Sequence, residues 1–352
     1  MERKKVYILL ILSLFLFLTA LFVFWFSHTG STLRASDSDF SIDRSLEVVQ
    51  IEILSLDDSQ GVMLEKDSEG RWILNARYFA NDLAVEQLLG SMRRMRVRTP
   101  VSIENRDNVE KMLQEQGIEV NVWVRGYRVH FGNLRLLPYN RLYQSFLVGE
   151  DTPDGQSTYM RKTRSQMAFR IHIPSHESGI AYLFDPSERE WRDPVIIDLR
   201  KEQIASISVK VFENPGQSYQ ILRKADDSFG FFDFEDKNRE ILTEFDTLRF
   251  DRFISAFRDV HYESLLNEKD EILRKELMWD DPYMKIQVES QDGFRASFTA
   301  FKRNLPADTP DSDQQLRPDP NRLYIQVNGE EFAIAQYYVF NRILRPLSFF
   351  EI

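Results

Sequence analysis

The chain of 352 residues contains no cysteine. That absence excludes disulfides, thiolate nucleophiles and thiolate metal ligands, and it suits a periplasmic protein without requiring one. Four sequence signatures of chemistry are also missing: the phosphate-cradling G-x-x-x-x-G-K-[ST] loop, the H-E-x-x-H zinc helix, the G-x-S-x-G nucleophile turn and the dinucleotide-binding glycine fingerprint. There is no excess of positive charge either. Lys and Arg number 45 against 55 Asp and Glu, for a net charge of −10. Residues 1–26 hold three basic residues and one acidic residue, so the remainder carries about −12. That balance argues against nucleic acid or anionic lipid headgroups as partners.

Histidine is scarce, with five in all: His28, His130, His172, His176 and His261. Only His172 and His176 have a ligand-like spacing, and Pro174 between them opposes the helical turn that would bring both to one face. A surface loop or strand end is the expected reading of that pair. The acidic run Asp308, Asp311, Asp313 and Asp319 lacks the D-x-D-x-D-G order and closing glutamate of a calcium loop, so a solvated loop is expected. No cofactor or metal is expected.

What the sequence does contain begins at its first residues. From Val6 to Phe26 it runs 21 residues without a charge. As a helix that stretch would be roughly 31 Å long, enough to cross the hydrocarbon core of a bilayer. It is apolar all round, whereas a buried core helix needs only one apolar stripe. Arg3, Lys4 and Lys5 precede it, and Asp37, Asp39 and Asp43 follow. The positive-inside bias places the N-terminus in the cytoplasm and the bulk outside. The run is longer than the apolar region of a cleaved signal peptide and ends in Phe24, Trp25 and Phe26 rather than small residues. An uncleaved anchor bounded by Val6 and Phe26 is therefore expected, in a bacterial inner membrane.

Beyond the anchor the chain repeats itself. "LEVVQIEI" from Leu46 aligns with "IASISVKV" from Ile204, both with strand-like alternation. "MLEKDSEGRW" from Met63 aligns with "ILRKADDSFG" from Ile221, each a hairpin with a polar turn. A helical stripe follows in both halves: Val85, Leu88, Leu89, Met92 and Met95, then Phe250, Phe253, Ile254, Phe257 and Val260. Shorter helices are predicted in "NVEKMLQEQGI" and "KDEILRKELMW", and strands in "EVNVWVRGYRVHFG" and "YMKIQVESQDGFRASFTAF". The tetrapeptide DTPD occurs at Asp151–Asp154 and Asp308–Asp311, inside this repeat. Asp and Pro start turns, so a repeated turn is expected there rather than a repeated active site.

The predicted class is α+β: a transmembrane helix, then two tandem duplicated domains of mostly antiparallel strands packed with helices. The expected divisions are a stub and anchor over residues 1–27, a linker over 28–43, a first domain over 44–199 and a second over 200–352. The aromatic cluster Phe229, Phe231, Phe232 and Phe234 is mainly core by this reading, with a partner-docking surface as the alternative. The C-terminal "LSFFEI" is expected to be a packed strand whose counterpart is "VIIDL", with a partner-binding tail as the alternative.

The segments "LEKDSEGRWIL", "NDLAVEQLLGSM" and "FLVGEDTPDGQSTYMR" resemble an uncharacterised bacterial family of membrane-anchored proteins, a domain-of-unknown-function family often encoded beside gliding-motility-type ABC transporter genes. The second half departs from the pattern, with Phe231 in place of Trp72 and no Gly after its DTPD. The resemblance brings no catalytic residues. It implies a non-catalytic, single-pass accessory subunit of a transporter or envelope complex, acting through its extracytoplasmic domains on an integral membrane partner. A periplasmic binding or chaperone module that presents cargo to an exporter is the alternative, and an envelope glycan-acting enzyme is a further one.

Overall fold

The computed structural model describes residues 15–19, 35–58, 60–131, 134–266, 270–305 and 317–352. The expected anchor lies outside the described residues except for 15–19, which are helical and exposed. No helix among the described residues is long and apolar enough to cross a membrane. The second DTPD, at Asp308–Asp311, also lies outside them.

The chain forms two units that divide between Arg192 and Asp193. The first contains a nine-stranded sheet built from β1 (Val48–Ser55), β2 (Gly61–Lys66), β3 (Trp72–Leu74), β4 (Tyr78–Phe79), β5 (Arg96–Pro100), β6 (Ile118–Phe131), β7 (Leu134–Asp151), β8 (Thr158–Lys162) and β9 (Ala168–His172). Their spatial order is β4-β3-β2-β1-β6-β7-β8-β9-β5. Helix α1 (Asp82–Arg94) and helix α2 (Arg106–Glu115) fall on either side of β5 in the chain.

The second unit opens with β10 (Val195–Ile197), which pairs with β15 (Val260–His261) in a small ribbon. Its main sheet uses β11 (Ile204–Val211), β12 (Tyr219–Arg223), β13 (Phe229–Asp233), β14 (Glu240–Leu242), β16 (Ser264–Leu265), β17 (Met284–Ser290), β18 (Arg295–Phe301), β19 (Arg322–Val327) and β20 (Glu331–Gln336). The order is β14-β13-β12-β11-β17-β18-β19-β20-β16, the same path through the chain as in the first unit. Helix α3 (Thr247–Ser255) occupies the place of α1, and α4 (Glu271–Trp279) that of α2.

Alternation explains the sheets. In β1, Ile51 and Ile53 face inward opposite Val122 and Val120 of β6, while Gln50 and Glu52 face outward. In β11, Ile207 and Val209 repeat this opposite Val288 and Ile286 of β17. The first hairpin turn is held by Asp67, whose Oδ1 accepts from the amides of Glu69 and Arg71 at 2.8 and 2.9 Å, with Gly70 at φ 84°. The equivalent turn uses Asp227 at φ 64°, one of the few residue types besides glycine that tolerates a left-handed backbone.

Both long helices are capped alike. The Asn81 side chain accepts from the Ala84 amide at 3.2 Å, and that of Asp246 from the Leu248 and Arg249 amides at 3.0 Å each. The Asn81 amide itself donates to the Trp191 carbonyl at 2.7 Å, and the Asp246 amide to the Phe350 carbonyl at 2.9 Å. Near the far end, the Ile42 amide meets the Met92 carbonyl at 3.4 Å and the Leu199 amide the Phe257 carbonyl at 3.0 Å. Each unit therefore closes on itself through the same two joints: an entering segment at the end of the helix and a closing aromatic at its start.

Several expectations are corrected. The stripe Phe250, Phe253, Ile254 is helical, but α3 ends at Ser255 and Asp259, at φ 59°, turns the chain before Val260 enters β15. Phe257 and Val260 are still fully buried, so the apolar spacing outlasts the helix. The units divide seven residues before the expected 199/200 boundary, because Ile196, Ile197 and Leu199 pack into the second core. "LSFFEI" is a 3₁₀ turn over Leu347–Phe350 rather than a strand, following Pro346. Its counterpart is the turn ending at Trp191, not "VIIDL".

The main core of each unit lies between its sheet and its long helix. A smaller cluster lies under the short helix. Val109 and Leu113 of α2 join Val101, Leu147 and Ala168, while Leu277 of α4 joins Leu266, Phe301 and Phe332. Leu147 alternates with core residues Phe146 and Val148, so that cluster sits on the opposite sheet face.

Candidate functional site

The first DTPD loop joins β7 to β8 and is a closed knot of hydrogen bonds. Thr152 donates its amide to the Ser157 carbonyl at 2.7 Å and its hydroxyl to Asp154 Oδ1 at 2.5 Å. Gly155 completes the turn at φ 66°. Asp154 also accepts from the Gln156 amide at 3.2 Å and from Arg170 Nη2 at 2.5 Å. The Thr152 hydroxyl first, then the Gln156 amide and Arg170, hold the Asp154 carboxyl down to about 2. Asp151 Oδ1 accepts from the Thr158 hydroxyl at 2.5 Å and the Ala181 amide at 3.2 Å. The Thr158 hydroxyl in turn accepts from the Ile180 amide at 2.7 Å. Gly179 passes so close that a Cβ there would come within 2.1 Å of the Asp151 carboxyl carbon. Both aspartates are thus committed to their own chain, pinning the loop over 179–181 against the sheet. The turn predicted from Asp and Pro is present, and it works as a clasp.

The other sequence candidates do not converge. His172 sits in β9 opposite Arg96. His176 lies beyond the strand, with Nε2 2.8 Å from the Ser178 hydroxyl and 3.5 Å from that of Tyr182. Among the described residues no group of three His, Asp or Glu is placed to hold a metal ion. Asp319, expected in a solvated loop, is buried. Its Oδ1 accepts from the Asn321 and Arg322 amides at 2.8 and 3.1 Å, and Arg303 Nη1 lies 3.7 Å from Oδ2. The rest of that acidic run lies outside the described residues.

A docking surface made of Phe229, Phe231, Phe232 and Phe234 is overturned for half its members. Strand alternation and the start of β13 bury Phe229 and Phe231 in the second core, where Phe231 packs edge-on against Phe245 and Phe250. Phe232 and Phe234 are half-buried on the other side. The described part of the second unit also has an open cleft of about 670 Å³ beside α4, lined by Leu273, Glu276, Leu277, Asp280, Lys302 and Tyr324. Lys302 there is already paired with Glu213, which raises its pKa.

The feature that sequence reasoning missed is the seat of the N-terminal segment. Residues expected to be linker enter the first core at Phe40 and Ile42, both almost wholly buried. The Phe40 ring packs edge-on against Phe146 and Phe169, at 5.9 and 6.1 Å between centroids. The Phe40 carbonyl accepts from Gln144 Nε2 at 3.3 Å, and Gln144 Oε1 accepts from Lys162 Nζ at 2.5 Å. That ammonium also lies 4.9 Å from the Phe40 ring centroid and 5.6 Å from that of Phe146. Burial pushes the Lys162 pKa down to about 8, opposed by Asp39 and Asp37. Burial first, then Asp39 and Asp43, raises that of Tyr143, which packs against the first core. The two aspartates form local turns, Asp39 accepting from Ser41 and Asp43 from Ser45. The only sequence signal was "FSIDRSL", an alternating run just before the repeat.

Residues 72–277, more than half of the chain, match a family described as Domain of unknown function (DUF4340). The matched stretch starts at the Trp of the first hairpin and ends in α4, so it spans parts of both units. No curated protein matches this chain. No solved structure matches it either.

Proposed function

The chain belongs to the DUF4340 family, and from that premise we propose that it is a non-catalytic, single-pass accessory subunit of an ABC-transporter-type or cell-envelope complex. In this reading Val6–Phe26 crosses the bacterial inner membrane with the N-terminus in the cytoplasm, and both sheet units lie outside. They act by holding an integral membrane partner, of the kind encoded beside gliding-motility-type transporter genes.

The observation that carries the reading is the seat at Phe40. Only 13 residues lie between it and Phe26, a span of at most about 50 Å when extended. The apolar run therefore continues into a segment built into the first core, so an anchor there would position the first unit near the bilayer. The common strand order, the two capped helices and the two equivalent joints support tandem duplication as the origin of the units. Extraction of native membranes in mild detergent, followed by mass spectrometry of what stays bound, tests the proposal. Stoichiometric integral membrane subunits are expected. Repeated recovery of the chain alone would overturn it.

A further inference from the structure

Strands β6 and β7 run 14 and 18 residues, whereas their counterparts β17 and β18 run 7 each. The neighbours do not follow them. β1 accompanies β6 only as far as Val48 opposite Val124, and β8 joins β7 only from Phe146 onward. Between Arg125 and Leu142 the two strands pair with each other alone, through Arg125–Asn140, Gly126–Tyr139, Tyr127–Pro138 and Val129–Leu136. This ribbon reaches roughly 20 Å past the sheet at about 3.4 Å per residue. A two-stranded ribbon has no core of its own and is marginal in water.

Its surface is unlike the rest of the molecule. From Val120 to Gly149 the sequence has four arginines and no acidic residue, in a chain whose net charge is −10. Val129, Leu136, Leu137, Tyr139 and Leu142 are all exposed, Leu137 the most at 62%. Pairing puts Val129 and Leu136 on one face of the ribbon, and Arg128, Tyr139 and Arg141 on the other, while Leu137, at φ 57°, breaks the alternation. The Tyr139 ring lies over Gly126, where an added Cβ would come within 3.0 Å of it. The base of the ribbon is where the chain arrives from the N-terminal segment: the Arg125 amide donates to the Glu47 carbonyl at 2.9 Å, and Arg125 Nε lies 3.5 Å from the Glu47 carboxylate.

We propose that the β6–β7 ribbon is an interfacial arm that lies in the anionic phospholipid headgroups of the membrane. Arginine forks suit lipid phosphates, and leucine, valine and tyrosine suit the depth just below them. Apolar side chains stand on both faces of the ribbon. A protein groove would cover one face, while a lipid interface surrounds both. The acidic bulk of the molecule is repelled by the same surface, so the charge pattern also orients it, arm toward the membrane. The acidity that argued against lipid contact for the molecule as a whole makes the arm its local exception. This inference rests on reading Val6–Phe26 as the anchor.

The absence of cysteine makes the test direct. Full-length protein carrying Leu137→Cys, labelled with a polarity-sensitive fluorophore, is reconstituted into vesicles of phosphatidylglycerol and phosphatidylethanolamine. Glu69→Cys, in the β2–β3 turn, is the reference. The Leu137 probe should shift to the blue, lose quenching by aqueous iodide and gain quenching by spin-labelled lipid, while the Glu69 probe does none of these. Vesicles of phosphatidylcholine, or Arg128→Glu with Arg141→Glu, should reverse the changes. Equal behaviour of the two probes, or indifference to lipid charge and to the arginines, overturns the arm. Shielding from iodide without lipid quenching assigns the ribbon to a second copy of the chain and likewise overturns it. A carbonate wash of the same vesicles separates the two readings. Protein that washes away overturns the anchor and the arm together, and retained protein with an unquenched probe overturns the arm alone.

Discussion

Lys162 holds its ammonium between two phenylalanine rings and one amide oxygen, and its pKa of about 8 lies below the ordinary 10.5. Between those values the unfolded chain binds more protons than the folded one, so the lysine's contribution to stability improves as pH rises from 8 toward 10.5. Urea unfolding of the wild type and of Lys162→Met should therefore diverge across that range, in the wild type's favour, by up to about 3 kcal/mol. A constant difference would show that the ammonium is not buried as described. Phe40 is the neighbouring test. Its truncation to alanine should destabilise the first unit by about 3–5 kcal/mol, although the sequence placed it in a linker. Asp154 follows the same rule in the acid range, where its depressed pKa adds stability as pH rises. Its carboxyl is held near 2, so its contribution is full above the usual carboxylate value and fades as pH falls through about 2. Asp154→Asn should flatten that acid limb of the unfolding profile, and an unchanged limb would contradict the clasp.

Among the elements, the two helix caps are a matched pair. Asn81→Ala and Asp246→Ala should each cost about 1 kcal/mol, the first in the transition of the first unit and the second in that of the second. Circular dichroism read together with the fluorescence of the first unit's tryptophans and of Trp279 in the second checks this, and a cap change that moved both transitions equally would contradict separate cores. This is also the scale at which the sequence was most readable. Alternation in "LEVVQIEI" and "IASISVKV" located β1 and β11, and Asp with Gly or Ser located the turns that follow, because a half-buried strand must alternate. Three features were hidden for physical reasons. The apolar spacing through Phe257 and Val260 fits a helix as well as it fits a buried turn and strand, and only the left-handed Asp259 distinguishes them. Pairing of the entering segments at Ile42 and Leu199 is a backbone contact, which leaves no side-chain signature. The first strand of the ribbon was predicted, but its returning partner was not, and its length beyond the sheet depends on where β1 and β8 stop. Its one sequence signal is thirty residues without an acidic side chain.

For the whole molecule, two nine-stranded sheets with one strand order carry separate cores, and the segment that follows the apolar N-terminal run enters the first of them at Phe40 and Ile42. Nothing in the composition of residues 27–352 distinguishes a subunit from an enzyme. The site that speaks to function is the seat around Phe40, which emerges only once Gln144, Phe146 and Lys162 are brought together from β7 and β8. The most direct measurement is of membrane attachment. Native membranes are washed with alkaline carbonate, and spheroplasts are treated with protease before blotting for the two units. The full-length chain should remain with the carbonate-washed membrane, and added protease should reach both units without lysis of the cells. Release of the chain into the carbonate supernatant, or units protected from external protease, would contradict the account.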